Sequence, residues 1–275
     1  MVDVIVCAYK SDQWELHYDH IDATIGCQYN YIRIDNSDNK IGICAAYDKG
    51  VRRASADILV FIHDDVYCIT PNWGALLEAK FKTGSSLGLI GVAGTQYLFH
   101  DNPSWVAAGQ PFIHGKVVHE CIVENKTILS VYSNVNTDRN VIAVDGLFFA
   151  IPRSLFTSVQ FDEFNFNSFH FYDLDICMQI GKTHKIIVTP DILVKHLSEG
   201  NFDSKWKYYG KIFLDKYRNE LPATCTTEKP DISKRIPFTS YDLETVVNSQ
   251  TFSYIVNLGK WHNQQFGADQ NHIIQ

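Results

Sequence analysis

The sequence predicts an α/β protein with a largely parallel sheet flanked by helices. Two apolar runs, at residues 4–7 and 58–62, are short and bounded by polar residues, as strands buried on both faces of a parallel sheet are, and residues 29–34 predict a further strand between them. Helix-compatible segments at 11–26 and 41–54 separate these runs. Strands and helices that alternate at this spacing are typical of right-handed βαβ units, so we expect the three strands to lie in one sheet.

Length and composition indicate a globular protein of one large or two small domains. The chain has 275 residues, of which 45% are hydrophobic and 20% are charged, and this balance is ordinary for a globular fold. The net charge of −7 argues against general nucleic-acid binding, because such binding depends on an excess of basic residues. No apolar run reaches the roughly 18 residues that a membrane span requires.

The cysteines and the N-terminal residues favour a cytoplasmic location. The seven cysteines form no CxxC pair and mostly have apolar neighbours, so we expect reduced core residues instead of disulfides or a zinc site. Strand-like residues follow Met1 at once, without the basic segment of a secretory signal. Basic side chains of the helix predicted at 202–217 suit either a solvated face or peripheral contact with the inner membrane surface.

Acidic residues follow the ends of two of the predicted strands. Asp64 and Asp65 come shortly after the third predicted strand, and Asp35 opens a polar stretch after the second. Ligands bind beyond the carboxyl ends of parallel strands in open α/β sheets. Carboxylate oxygens suit Mg²⁺ or Mn²⁺, although acids that only solvate a strand end give the same pattern. The absence of a GxGxxG or P-loop motif after the first strand argues against a dinucleotide or P-loop site.

The rest of the chain adds an antiparallel excursion and further α/β elements. Residues 96–144 are rich in Asn, His, Gly and aromatic residues and alternate in short stretches, which predicts an antiparallel insert. Apolar runs, helical spacing and Pro or Gly boundaries predict the remaining elements. These are helices at 71–83, 152–156, 173–181 and 202–217, strands at 87–93 and 141–151, a strand pair at 185–188 and 192–195, a surface arm at 221–240 and a last helix at 241–260.

The segment around Asp173 is a candidate for acid–base chemistry. Asp173 lies at or near the predicted N-cap of its helix, where an aspartate often serves only as a cap. A second acid, Asp175, follows, and Phe171 and Tyr172 precede it. Aromatic walls desolvate a carboxylate and raise its pKa toward that of a general base.

One histidine is a candidate metal ligand. His196 closes the predicted strand pair, and it is a candidate because Asp65 already suggests a metal site; an isolated histidine is more often hydrogen-bonded in a core or a turn. The spacing of the other histidines near these segments matches no closed metal site. We therefore expect these histidines to be packing residues. They are His63, His114, His119 and His170.

Taken in order, these segments resemble the family 2 type glycosyltransferases of the GT-A fold. The resemblance covers residues 2–200 and rests on motifs at 4–10 (VIVCAYK), 34–37 (IDNS), 46–54 (AYDKGVRRA), 57–66 (DILVFIHDDV), 144–153 (VDGLFFAIPR), 161–163 (FDE), 172–175 (YDLD) and 194–196 (VKH). Several such motifs in register are far more specific than any one alone. Two positions depart from the family pattern: His63 replaces the first acid of the DxD motif, and Tyr172 with Asp173 replaces the usual Glu-Asp pair.

The resemblance implies a GT-A type, Rossmann-like mixed sheet flanked by helices, with an antiparallel acceptor-side insert and a helical C-terminal extension. Residues 1–220 would form the glycosyltransferase-like domain, with a nucleotide-donor half at 1–95 and an acceptor half at 96–220. Residues 221–275 would form the extension.

The implied reaction is an inverting, metal-dependent transfer of a sugar from a nucleotide donor, UDP-linked, to an acceptor hydroxyl. Asp65 and His196 would hold Mn²⁺ or Mg²⁺. Asp173 would accept the proton of the acceptor hydroxyl, with Asp175 orienting this base or the acceptor. The residues implied in donor binding are Ala8, Tyr9, Asp35, Asn36, Asp64 and Asp145, with Asp64 at the ribose or the donor sugar.

Two other functions remain open at this point. The departures at His63 and Tyr172 are compatible with a catalytically impaired nucleotide- or sugar-binding protein on the same scaffold. A sugar nucleotidyltransferase would need a glycine-rich, basic triphosphate loop after the first strand, and residues 8–11 offer little of that. The expected acceptor is a carbohydrate, a lipid-linked molecule or a protein, and no nucleic-acid partner is expected.

Overall fold

The structure, a computed structural model, describes residues 1–9, 14–84, 86–121, 126–198, 200 and 202–243. The strands of this part of the chain are β1 (Val2–Ala8), β2 (Tyr29–Asp35), β3 (Ile58–His63), β4 (Val66–Cys68), β5 (Leu87–Gly91), β6 (Ala93–Thr95), β7 (Tyr97–Leu98), β8 (Ile113–Cys121), β9 (Lys126–Val131), β10 (Arg139–Val141), β11 (Ala143–Val144), β12 (Phe148–Pro152), β13 (Lys185–Val188), β14 (Val194–His196), β15 (Ala223–Thr224) and β16 (Thr239–Asp242). The α-helices are α1 (Trp14–Thr24), α2 (Ile43–Arg53), α3 (Trp73–Thr83), α4 (Tyr172–Ile180) and α5 (Ser204–Lys216), and short 3-10 helices lie at Trp105–Ala108, Arg153–Thr157 and Ile232–Lys234.

A mixed sheet forms the centre of the fold, in the order β10-β13-β5-β12-β3-β1-β2. β1 pairs in parallel with β2 and β3, and β13 pairs in parallel with β5. β12 runs antiparallel between β3 and β5, and β10 runs antiparallel at the edge. The predicted mixed α/β class is thus confirmed, and the carboxyl ends of β1, β2 and β3 lie along one edge.

A second sheet, built largely from the predicted insert, follows the order β11-β6-β8-β14-β4, and β9 and β16 extend it from β8. β8 pairs antiparallel with β6 and β9, as the alternating pattern of the insert predicts. The expected strand pair at 185–188 and 192–195 is wrong, because β13 joins the central sheet whereas β14 joins the second sheet beside β8 and β4. The turn between β13 and β14 therefore carries the chain from one sheet to the other.

The side chains of the central strands alternate between two hydrophobic clusters. Ile5 and Phe61 belong to the cluster on one face, together with Tyr47 of α2. Val4 and Ile62 belong to the cluster on the other face. This alternation follows from the two-residue repeat of a strand and explains why these runs are apolar at every position.

Removal of the Phe61 ring is expected to destabilise the fold by about 3–5 kcal/mol, because a large cavity replaces a fully buried side chain. The ring lies 4.9 Å from that of Tyr47 and 5.1 Å from those of Phe149 and Phe161, between centroids. Denaturant unfolding of Phe61→Ala measures this loss. Phe164→Ala is the matched control, since Phe164 is 89% exposed and its loss should change stability by less than about 0.5 kcal/mol; equal losses in both variants would contradict the assignment.

The segment at 221–240, predicted as a surface arm, contributes strands that pair with strands of the insert. β15 pairs with β7, β16 pairs with β9, and Ile236 bridges Gln110. The helix expected at 241–260 begins inside β16, so its first residues are extended instead, and its remainder from 244 onward lies outside the described residues. Among the helices of the described segments, none combines the length and the apolar character needed to cross a bilayer.

Candidate active site

Three side chains at the edge where the two sheets meet form a compact cluster. His63 ends β3, Asp65 lies in the turn before β4, and His196 ends β14. One ligand atom from each residue lies within 4.8 Å of the others. His196 Nε2 is 3.3 Å from Asp65 Oδ1, close to the separation of roughly 3 Å for two neighbouring ligands of one metal ion at about 2.1 Å. The pair predicted from the sequence is thus brought together, with His63 beside it.

Backbone pairing fixes the position of His196 relative to Asp65. In the antiparallel pairing of β14 and β4, His196 lies opposite Val66. The Leu197 amide donates to the carbonyl oxygen of Asp65 at 2.9 Å. Ser198 Oγ is 3.0 Å from His196 Nε2. Residues more than a hundred positions apart in the chain are therefore held together by the sheet itself.

His63 is held by Tyr172. Its Nε2 lies 2.6 Å from the Tyr172 hydroxyl, which also donates to the carbonyl oxygen of Gly146 at 2.9 Å. Burial and the neighbouring His196 lower the pKa of His63 below its ordinary value, so the imidazole is neutral near pH 7. Sequence spacing assigned His63 to packing; its place at the first position of the DxD motif was the signal that could have identified it.

The cluster has the chemistry of a divalent metal site. Burial works against ionisation of the Asp65 carboxyl, but the hydrogen bond and charge of His196 hold its pKa below the ordinary value. An aspartate binds a metal as the carboxylate, and a histidine binds it as the neutral imidazole. In the part of the chain that the structure describes, His63, Asp65 and His196 form a group of side chains that lie close enough together to bind one ion. The donor set of two nitrogens and one oxygen fits a first-row divalent metal.

Asp173 lies next to Tyr172 in the first turn of α4. The helix begins one residue earlier than predicted, with Phe171 in the left-handed region at φ 66° as the N-cap, so Asp173 is not the cap. Burial and the negative charge of Asp145 raise the pKa of Asp173 to about 7, against hydrogen bonds from the backbone of Leu174 and Gly146. A carboxyl with this pKa accepts a proton efficiently near neutral pH.

Asp145 is fixed by two donors. Trp105 Nε1 donates to Oδ2 at 3.1 Å, and the Leu147 amide donates to Oδ1 at 3.0 Å. Its own amide donates to the carbonyl oxygen of Ala93 at 2.9 Å. Its negative charge therefore stays near Asp173 in one defined orientation.

Gly146 leaves room for the Tyr172 side chain to pack against its backbone. A Cβ atom at this position would lie 2.2 Å from the Tyr172 hydroxyl oxygen and 3.0 Å from Asp173 Cβ. Only a residue without a side chain leaves room for Tyr172 to contact both His63 and the Gly146 carbonyl. Sequence reasoning did not select Gly146, because a glycine inside an apolar run carries no spacing signal of its own.

Asp175 has different surroundings from Asp173. It is 1% exposed, and its carboxylate accepts hydrogen bonds from Lys216 Nζ at 2.5 Å, the Tyr217 hydroxyl at 2.7 Å and Gln179 Nε2 at 2.8 Å. Residues two positions apart on a helix face nearly opposite directions. The described contacts place Asp175 between α4 and α5.

On the donor side, Asp64 Oδ2 accepts from the Tyr9 amide at 2.7 Å and so joins the end of β1 to the turn after β3. Ala8 is buried, whereas Tyr9 is 51% exposed. Asp35 is exposed, and its carboxylate accepts from the Ser37 amide and hydroxyl and pairs with Arg33 at 3.3 Å.

The side chain of Asn36 is buried and hydrogen-bonded to the backbone of its own loop. It is 1% exposed, its side-chain oxygen accepts from the Ile41 amide at 3.2 Å, and its nitrogen donates to the Ile41 carbonyl oxygen at 2.9 Å. These bonds use the polar atoms of the side chain to hold the loop after β2.

Comparison with known proteins gives one family match and several remote structural similarities. The sequence model of a glycosyltransferase-like family matches residues 3–217. No curated protein matches the chain. The matched residues include every side chain of the site described above.

Many solved structures are similar to the chain, and three of them are described here. They are A197 from STIV (12% identity, 72% of this chain and 86% of that chain, TM-score 0.43), GalNAc-T7 with UDP, GalNAc and Mn²⁺ (13% identity, 96% and 54%, TM-score 0.48), and the mannosyltransferase PcManGT from Pyrobaculum calidifontis with GDP-Man and Mn²⁺ (13% identity, 85% and 66%, TM-score 0.49). The chain thus spans about half the length of the GalNAc-T7 chain and 66% of the PcManGT chain.

Proposed function

We propose, from the premise that this chain belongs to the glycosyltransferase-like family, that it transfers a sugar from a UDP-linked donor to an acceptor hydroxyl with inversion at the transferred carbon. The observation that carries this proposal is the adjacency of a carboxyl with a pKa of about 7, Asp173, to a cluster suited to a divalent metal. Tyr172 precedes Asp173 and contacts His63, so the two features share one helix start.

Asp65 and His196, with His63 beside them, would hold Mn²⁺ or Mg²⁺. A divalent ion there would neutralise the charge that develops on the leaving diphosphate. The protein contributes the position of these ligands, because β3, β4 and β14 fix them through backbone pairing. The two histidines are neutral when they bind a metal.

Asp173 would accept the proton of the acceptor hydroxyl. An inverting transfer in one displacement needs a base on the acceptor, and a pKa near 7 leaves a large fraction of Asp173 ionised at neutral pH while it remains basic enough to take a proton. Asp145 and the burial of the carboxyl produce this pKa. We assign Asp175 to the attachment of α5, since its carboxylate is already occupied by three donors.

The donor would bind along the edge formed by β1, β2 and the turn after β3. Tyr9 and Asp35 are exposed there and are suited to the base, and Asp64, tied to the Tyr9 amide, is suited to the ribose or the sugar. Ala8 and Asn36 are buried, so we assign them to the shape of the loops. Asp145 would act on the donor only indirectly, through Asp173.

Calorimetric titration of UDP with and without Mn²⁺ tests this function. Wild type is expected to bind UDP in a Mn²⁺-dependent manner, and Asp65→Ala is expected to weaken that binding by about 10–100-fold because a carboxylate ligand is lost. Asp19→Ala, at an exposed position of α1, is the matched control and should behave as wild type. Absence of UDP binding under every condition would contradict the proposal, and release of UDP during incubation of a UDP-sugar with Mn²⁺ distinguishes a transferase from a pure binding protein.

A further inference from the structure

We propose that the second sheet carries a binding site for a doubly charged oxyanion, a phosphate or sulfate group, formed by Lys116, His114 and Arg139. Lys116 and His114 belong to β8 and contact the loop of residues 132–138, and Arg139 follows this loop at the start of β10. The site goes beyond the proposed transfer reaction, because none of these residues belongs to the metal cluster.

Lys116 is a buried cation, and no carboxylate pairs with it in the described part of the chain. The residue is 4% exposed, and its Nζ donates to the neutral Oδ1 atom of Asn136 at 2.7 Å. Burial lowers the pKa of Lys116 to about 8. Lysine is rarely buried to this extent unless an anion pairs with it. A bound anion would therefore supply the negative charge that the described residues do not place beside Lys116.

His114 offers a second polar group. The residue is 5% exposed, and its buried Nε2 atom has no hydrogen-bond partner among the described residues. Ser133 Oγ lies 3.2 Å from His114 Nδ1 and accepts from the Val135 amide at 3.3 Å, so the hydroxyl proton is available to Nδ1. In this arrangement Nε2 carries the proton of the neutral ring and is a donor for an anion.

Arg139 brings a second positive charge to the same place. Burial and the charge of Arg139 lower the pKa of His114 to about 4, so the guanidinium is close enough to act on the ring. Asp138, the neighbour of Arg139, pairs with Lys80 at 2.8 Å instead. Two cations and one neutral donor match an anion with two negative charges, because hydrogen bonds between charged groups are stronger than those between neutral ones.

The backbone holds the loop against β8. The Tyr132 amide donates to the Gly115 carbonyl oxygen at 3.0 Å. Gly115 has a φ of 110°, which favours glycine, and a Cβ atom there would lie 2.7 Å from Ala93 Cα of β6. Because Asn136 is exposed, the ammonium group of Lys116 beside it lies just below the surface, where an anion can reach it from solvent.

Calorimetric titration with sulfate tests the site, at constant ionic strength and without UDP or Mn²⁺. We expect wild type to bind sulfate in a saturable manner. Lys116→Met should weaken this binding by about tenfold or more, because a hydrogen bond to a charged group is lost. The matched control is Lys234→Met, at a side chain that is 83% exposed, and it should bind sulfate as wild type does.

Thermal unfolding separates a binding role of Lys116 from a structural one. Methionine is similar in length and removes the buried charge, so Lys116→Met should unfold at a higher temperature than wild type in chloride. Sulfate stabilises folded proteins in general, but it should raise the unfolding temperature of wild type more than that of the variant. A lower unfolding temperature of Lys116→Met together with unchanged sulfate affinity would overturn the proposal.

Arg139→Gln is a second variant, at an exposed position where the fold does not depend on the side chain. It should weaken sulfate binding by about twofold to fivefold, the range for an exposed charge. Absence of saturable sulfate binding in wild type, or equal affinities in wild type and both variants, would overturn the proposal.

Titrations with other anions identify the source of the charge. Acetate, with one negative charge, should bind at least about tenfold more weakly than sulfate, and equal binding of the two would contradict a site for a divalent anion. Tighter binding of glucose 6-phosphate than of inorganic phosphate would assign the site to the phosphoryl group of a larger ligand, and equal binding would assign it to the free ion. These titrations contain no UDP, so the outcome is independent of the proposed function.

Discussion

Asp173→Asn is expected to lower kcat by about 10²–10⁴-fold, because the amide cannot accept the proton of the acceptor hydroxyl. The substitution keeps the size of the side chain, and its metal and UDP affinities should stay within about threefold of wild type, since Asp173 does not belong to the metal cluster. Initial rates and calorimetry on the same preparation measure both effects. A loss of UDP binding as large as the loss of rate would contradict the role of Asp173 as base.

The pH profile gives an independent test of the same residue. A base acts when it is ionised, so kcat/KM is expected to rise with pH and to level off above the pKa of Asp173, about 7. Asp145→Asn removes a negative neighbour and should move this limb to lower pH. Asp57→Asn is the matched control, because Asp57 is exposed at the opposite end of β3 and should leave both the rate and the profile unchanged.

The raised pKa of Asp173 also predicts a change in stability. Between its ordinary value of 3.8 and about 7, the folded protein binds more protons at this residue than the unfolded chain does, so its contribution falls as pH rises through that window. Asp173→Asn removes the ionisation and should increase the free energy of unfolding at pH 8, by on the order of 1 kcal/mol. Denaturant unfolding at pH 5 and pH 8 measures the difference, which should be smaller at pH 5.

Lys216→Ala is expected to destabilise the protein by about 3–5 kcal/mol, because it leaves a buried carboxylate without its cation. Lys216 Nζ bonds both Asp175 and Asp162, and Asp175 is buried with 1% exposure. Removal of the lysine leaves a buried carboxylate without its cation, although Tyr217 and Gln179 still donate to it. Denaturant unfolding at pH 7 measures the loss.

Lys182→Ala is the matched control for this ion pair. Lys182 pairs with Glu220 at 3.2 Å, but both side chains are exposed, and such pairs contribute about 0–1 kcal/mol. Asp175→Asn combined with Lys216→Met should recover part of the loss, because no unpaired charge stays buried. Equal destabilisation by Lys182→Ala and Lys216→Ala would contradict the buried pair.

Sequence patterns predicted the parts of the fold that follow local rules. The continuous apolar runs of β1 and β3 reflect strands covered on both faces, and the acids after β3 reflect the edge where strands end. The pairing of β14 was not predictable in this way, because it depends on which sheet receives each strand of a short apolar pair. Partner choice of this kind is a tertiary effect that leaves no trace in spacing.

In the candidate site, too, sequence patterns identified some residues, whereas others depend on contacts between distant parts of the chain. Asp65 and His196 were selected by sequence and lie 3.3 Å apart, while their role as metal ligands stays a prediction. His63 was missed because an isolated histidine carries little information without its spatial neighbours. Asp175 was selected because it is close to Asp173 in sequence, but the helix turns the two carboxylates toward different surroundings.

The turn at Asp64 and Asp65 limits how such a chain can diverge. It joins β3 of the central sheet to β4 of the second sheet with two residues. An inserted residue would change the register of β4 against β14 and move Asp65 away from His196 at the same time. We therefore expect homologues to vary in the length of the insert strands and their loops while the length of this turn remains constant.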